Sequence, residues 1–308
     1  MIFMIEGKFR IDWDVPFQIT YWRVNEKIEH TTPSGERIVL GPKGDDDSEG
    51  HVFLTLIDDV VDSAKAKRIA QEVIRDVLVE NFLLVDGRSL ESSGMSFSDP
   101  ELLNEVEVRN RRKTGHSTMA GNVVISAPVD AAAIRRAFEL HQRRSSLDKR
   151  DEIDRCVKWL KKGHSLSDPV DRFLMYWISF NVLYGLFSDR GKRTDRRSIN
   201  ELLNGHPREK EDIAHILDRH GGIVDILAGA GLTDWHERTS YSERLRESLK
   251  TDNYRDQLKK VALCLYVVRN QIFHGGRGLL EDRDFYVGCS LLLFDLVRIS
   301  VVSCAGLY

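Results

Sequence analysis

The sequence predicts an α+β domain over residues 1–145 followed by an all-α helical bundle over 147–308. Three observations predict it. The first third carries apolar, β-branched runs separated by turn segments, as paired strands do. One segment within that part then switches to helical apolar spacing. Beyond SSLDKRDE, residues 145–152, every apolar pattern is helical. At 308 residues the chain is long enough for two domains, each with its own core.

In chain order, MIFMIEGKFRI and PFQITYWRVNEKI read as strands, and ERIVLGP and HVFLTLIDD add two short ones. PKGDDDSEG between them is a turn or loop. In DSAKAKRIAQEVIRDVLVENFLLV, residues Ala66, Ile69, Ala70, Val73, Ile74, Val77 and Leu78 repeat at helical spacing, so a helix against a sheet is expected. EVEVRNRRKTGHSTMAGNVVISAP reads as two strands around a polar loop, and VDAAAIRRAFELHQRR as a short helix. Ser146 or Asp148 is the expected cap of the first bundle helix, DKRDEIDRCVKWLKKGHSL. The second, DPVDRFLMYWISFNVLYGLFS, has Pro169 in its first turn. Shorter helices are expected in RRSINELLN and REKEDIAHILDRH, a long one over about 252–274 and a last one over about 282–306.

Composition narrows the function classes. The chain is 42% apolar and 30% charged, as soluble globular proteins are, and its formal net charge of −3 gives no global pull toward nucleic acid or membrane. Residues 147–308 hold 26 Lys and Arg against 24 Asp and Glu, and the first 146 hold 19 against 24. Cys156, Cys264, Cys289 and Cys304 form no CxxC pair and read as reduced core cysteines of a cytoplasmic protein. No metal site and no cofactor is expected: His206, His215, His220 and His236 lack metal-ligand spacing. The opening MIFMIEGKFRIDWD has no basic n-region and no long apolar h-region, so it does not read as a signal peptide. The stretch 285–307 is long enough to span a bilayer, but Asp295 and Arg298 fall in its middle, each costing roughly 2.5–3.5 kcal/mol there. It reads as the most buried helix of the bundle or a dimer seam, and no membrane partner is expected.

Chemistry concentrates in YVVRNQIFHGGR, residues 266–277. Leu258, Val261, Leu265, Val268 and Ile272 form an apolar stripe, and Asn270 and His274, four apart, share a face. Arg269 and His274 would stand about 140° apart on an ideal helix and converge only if it tightens, bends or ends near His274. Gly275 and Gly276 suit such an ending. A histidine moves protons near neutral pH, an arginine offers forked donors to a phosphate, and Asn270 can orient the imidazole or hold a phosphate oxygen. Together they suit RNA cleavage by 2′-hydroxyl attack. The plain alternative is a helix terminus whose histidine caps carbonyls and whose arginine pairs with a neighbouring acid.

RNQIFHGG resembles the R-x4–6-H signature of HEPN domains, the higher eukaryotes and prokaryotes nucleotide-binding superfamily. DRFLMYWISFNVLYG resembles the W-x-x-F-N-x-L-Y-G helix of its Apea-like and MauJ-like members, about 90 residues upstream. The resemblance covers roughly 147–308 and implies a HEPN helical bundle that dimerises through the bundle. Two motifs then share one cleft as a metal-independent endoribonuclease of toxin–antitoxin or antiphage systems. On it, Arg269 and His274 become the catalytic pair and Asn270 the intervening polar residue. Some members are non-catalytic modules that bind nucleotide, RNA or a partner protein, and that is the alternative.

RNA is the expected partner. Arg190, Lys192, Arg193, Arg196 and Arg197, concentrated in SDRGKRTDRRS, and Arg277 past the motif are candidates to grip its backbone, with a solvated loop as the alternative. Asn181 is expected as a buried structural amide with Trp177, Phe180 and Tyr184 as helical neighbours. Residues 1–145 carry the expected role of sensing a trigger, whether an antitoxin or a phage-derived molecule, of binding a regulator, or of selecting the RNA.

Overall fold

The computed structural model describes residues 1–12, 28–32, 34–42, 51–58, 60, 62–72, 79–87, 89–104, 107, 131–187, 194–234, 239–274 and 282–306. Helices hold most of them. The chain divides into two compact units, Met1–Gln142 and Arg143–Tyr308.

The first unit is built on an antiparallel sheet of β1 (Ile2–Asp12), β2 (Ile28–Thr31), β3 (Arg37–Pro42), β4 (His51–Ile57), β5 (Ser89–Phe97) and β6 (Glu101–Leu103). The order is β2-β3-β4-β1-β5, with β6 also pairing β1. Alternation along β3 buries Ile38 and Leu40 on one face and Val39 on the other, where Val39 joins Met4 and Leu103. The helix expected over 62–85 is described in two pieces, α1 (Ser63–Ile69) and α2 (Val79–Asp86). Ala66, Ile69 and Ala70 are buried as the spacing requires, whereas Val73, Ile74, Val77 and Leu78 lie outside the described residues. So do most of PFQITYWRVNEKI and nearly all of 105–128. Strands β5 and β6 were not expected. SLESSGMSF is rich in serine and glycine, which disfavour strands in isolation, and its pairing is supplied by β1 across a register shift between Lys8 and Arg10.

The division between the units falls inside α3 (Ala131–Ser145), a few residues before the expected boundary. Arg143 and Arg144 belong to the second unit, where Arg143 donates to the Gly306 carbonyl and Arg144 pairs with Asp154. Neither expected cap is used by α4 (Arg150–His164): its N-cap is Lys149, without a side-chain bond. Ser146 Oγ instead donates back to the Arg143 carbonyl at 2.8 Å, serving the end of α3. The next helix, α5 (Pro169–Gly185), starts as read, with Asp168 Oδ1 accepting from Val170 and Asp171 N–H at 2.9 Å.

The remaining elements are α6 (Asp195–Gly205), α7 (Lys210–Arg219), α8 (Gly221–Gly229), the short pair β7 (Thr233–Asp234) and β8 (Thr239–Ser240), α9 (Tyr241–Ser248), α10 (Tyr254–Phe273) and α11 (Arg283–Cys304). Helix α5 packs between α4 and α11, and α10 packs on α6, α7 and α9. Trp177, Phe180 and Tyr184 are core residues of α5. Asn181, expected buried, is exposed, because it steps about 100° beyond Phe180, off the arc that Phe173, Trp177, Phe180 and Tyr184 bury.

Helix α11 is long and apolar enough to cross a membrane, with mean hydropathy 1.9, yet 78% of that window is buried within the protein. Its mid-helix charges have partners. Asp295 accepts from His220 Nε2 at 2.8 Å and Arg298 Nε at 3.0 Å, and pairs with Arg219 Nη1 at 3.1 Å. Burial alone would raise the Asp295 carboxyl. The His220 hydrogen bond and the Arg298 and Arg219 charges outweigh burial and hold it at about 2. Cys156, Cys264 and Cys289 are buried and Cys304 half-buried; burial pushes the Cys156 and Cys264 thiols up to about 12.

Candidate functional site

The candidate site is the last turn of α10. The helix starts at Asn253, whose Oδ1 accepts from Asp256 N–H at 3.1 Å. Its first turn is pinned by Arg255, which donates to the carbonyls of Leu203 and Pro207 at 2.8 Å and so holds the turn between α6 and α7. The other face of that turn is tied to α11 by His206 Nδ1, 2.9 Å from Ser303 Oγ. The stripe of Leu258, Val261, Leu265 and Val268 is buried. Burial then ends within two turns: Arg269, Asn270, Gln271 and Ile272 are half-buried, and Phe273 and His274 are exposed.

The helix stops where Arg269 and His274 needed it to stop. Its last residue is Phe273, and His274 is the C-cap, with φ −99° and ψ 10°. The His274 N–H still donates to the Asn270 carbonyl at 3.0 Å, so the imidazole leaves from a fixed backbone position. Gly275 and Gly276, expected to make this ending, lie outside the described residues.

Arg269 is held from two sides. Nη1 donates to Asn270 Oδ1 at 2.8 Å, and the guanidinium carbon lies 4.9 Å from the centre of the Phe273 ring. Its Nε is buried and makes no hydrogen bond among the described residues. Asn270 therefore orients the arginine, whereas its expected service to the imidazole is limited to the backbone carbonyl.

Tyr184 belongs to the electrostatic surroundings of this arginine. Burial drives its hydroxyl well above the usual range, the Asp195 carboxylate adds to that, and the Arg269 charge opposes it. Trp177, one turn-pair earlier on α5, has its ring 6.1 Å from that of Tyr266 on α10. The two helices that carry the quoted motifs thus meet through aromatic side chains.

Of the residues expected to grip RNA, Arg190, Lys192, Arg193 and Arg277 lie outside the described residues. Arg196 and Arg197 sit in the first turn of α6 rather than in a loop. Arg196 Nη1 donates to Tyr241 Oη at 3.2 Å, and Arg197 Nε pairs with Glu201 at 3.1 Å, so both have partners within the unit.

Two members of the site were missed in the sequence. Phe273 has no helical signal of its own, because it stands outside the apolar stripe, and that displacement was the available clue. Asp195 opens the helix that follows that of Tyr184 and comes to the tyrosine where α6 packs on α5.

The chain matches no protein-family model, no curated protein and no solved structure.

Proposed function

We propose that the chain is an endoribonuclease that works without a metal ion, a toxin or effector of phage defence with its site in a cleft between two copies of the helical bundle. The observation that carries this reading is the end of α10, where His274 is the exposed C-cap and the Arg269 guanidinium, five residues earlier, is held by Asn270 and Phe273. The resemblance of RNQIFHGG and of the α5 motif to HEPN domains supports it and supplies the dimer.

In this mechanism a neutral His274 takes the proton from an RNA 2′-hydroxyl. The 2′-oxygen attacks the adjacent phosphorus, and the bond from phosphorus to the 5′-oxygen breaks. The leaving oxygen collects a proton from an imidazolium, which the second copy's motif supplies. Arg269 donates to the phosphoryl oxygens as charge builds on them. The products are a 2′,3′-cyclic phosphate and a 5′-hydroxyl. Residues 1–145 then act on the trigger or on the choice of RNA.

A second reading is favoured by one observation. Among the described residues, Arg269 and Asn270 bond to each other and neither makes a side-chain bond to His274. A non-catalytic module binding nucleotide, RNA or a partner protein needs no more than that.

Incubation of the full chain with total RNA in EDTA tests the first reading, with Arg269→Ala and His274→Ala beside the wild type. The wild type alone is expected to cleave, leaving cyclic phosphate ends, with both variants keeping wild-type melting and dimerisation. No cleavage of mRNA, tRNA or total RNA by the wild type would favour the second.

A further inference from the structure

Phe273 is the one large apolar side chain of α10 that faces solvent, with 61% of its surface exposed. The other large apolar residues of this helix are buried or half-buried. One face of its ring is taken by the Arg269 guanidinium at 4.9 Å. A cation on one side of the ring and the exposure of the rest suit it to a flat partner.

Its neighbours narrow the partner. On the helix surface the residues three and four before the ring are Asn270 and Arg269, His274 follows it, and the adjoining Ile272 is half-buried. A protein partner is recognised by a contiguous apolar centre with a polar rim. A single ring among a guanidinium, an amide and an imidazole suits a ligand that is itself flat and apolar at one end and anionic at the other. A nucleotide has that form. We propose that Phe273 is a nucleobase-stacking platform, on which an unpaired RNA base rests while its phosphate meets Arg269 and His274. This deepens the ribonuclease reading and rests on it for the identity of the ligand.

The substrate class follows. A base inside a duplex already stacks on its neighbours and cannot cover a side-chain ring, whereas a base in a single strand can. Every base has a π-face, so the platform tolerates any sequence and selects for strandedness.

Fluorescence anisotropy tests this with a labelled 12-nucleotide oligouridine and a 12-base-pair RNA duplex. The full chain carries His274→Ala, so that no strand is cut, alone or with Phe273→Leu or Phe273→Trp. Stacking on one aromatic residue corresponds to about a 5- to 150-fold change in affinity. Phe273→Leu is expected to weaken oligouridine binding within that range and to leave duplex binding unchanged. Phe273→Trp is expected to keep oligouridine binding at the parent's level or better. The proposal is overturned if the leucine variant binds oligouridine like its parent, if the parent binds none, or if duplex binding falls equally. It is also overturned if the loss tracks a change in sedimentation, which would place the ring at a subunit contact. If the wild type cuts RNA in EDTA yet the leucine variant binds normally, the platform falls and the ribonuclease stands. If ring-dependent binding is found but nothing is cut, the platform stands and catalysis falls.

Discussion

Arg269 Nη1 donates to Asn270 Oδ1 at 2.8 Å, a bond between consecutive residues at the point where α10 leaves the core. A guanidinium on a free side chain samples many rotamers, and this bond, with the Phe273 ring on the other side, selects among them. Asn270→Ala removes the acceptor. On the proposed ribonuclease function, loss of alignment of Arg269 costs as much as about 10²-fold, so cleavage in EDTA is expected to fall by up to that factor. Stability should fall by less than about 1 kcal/mol, because both residues are half-exposed. Single-turnover cleavage and a denaturant melt on the same preparation check the two halves.

Asp295 is 3% exposed and Arg298 8%, and they face each other in the middle of the long apolar helix α11. Asp295 serves Arg298, His220 and Arg219 together, and breaking a buried pair by removing one member costs about 3–5 kcal/mol. Asp295→Ala is expected to lower unfolding stability by that amount, or to prevent folding. Asp154→Ala, whose carboxylate is more exposed, should cost less although it also loses a close arginine. Urea midpoints of the two variants decide this.

The same carboxylate sets a pH dependence. The Asp295 carboxyl lies at about 2 in the folded chain against an ordinary value of 3.8. A depressed folded value means that its contribution is complete above about pH 4 and is lost as pH falls toward 2. That contribution is about 2 kcal/mol. The wild type should therefore lose stability more steeply than Asp295→Asn between pH 4 and 2, measured as urea midpoint against pH. Parallel curves would remove Asp295 from the account.

Gly163 on α4 marks the close crossing with α5. A Cβ there would lie 2.6 Å from Tyr176 Cε1 and 2.7 Å from Cδ1, and Tyr176 is 1% exposed, with no room to withdraw. Gly163→Ala is expected to destabilise by about 1–3 kcal/mol despite the better helix propensity of alanine. Gly185→Ala meets nothing within 4 Å and should be neutral or stabilising by up to about 1 kcal/mol. Thermal melts of the pair separate crowding from propensity.

Local patterns in the sequence were sufficient for six helices of the second unit, α4 to α7, α10 and α11, whereas α8, α9 and the short β7–β8 pair were not expected. Asp168 before Pro169, the apolar stripe of α10 and the abrupt polar run after Val268 are each determined by residues within one or two turns of one another. The end of α10 at His274, on which the candidate site depends, was legible for that reason. Asn181 and strand β5 were not. The exposure of an amide depends on which arc of α5 meets α4 and α11, and SLESSGMSF becomes a strand only because β1 offers it hydrogen bonds. The tertiary structure likewise decided where the charges go. It brought His220 and Arg219 to Asp295 from 75 residues away or more, gave Arg196 to Tyr241 and placed Asp195 beside Tyr184. Backbone periodicity is set between neighbours along the chain, whereas the partner of a buried charge is whatever group packing carries to it, and no spacing in the sequence encodes that distance.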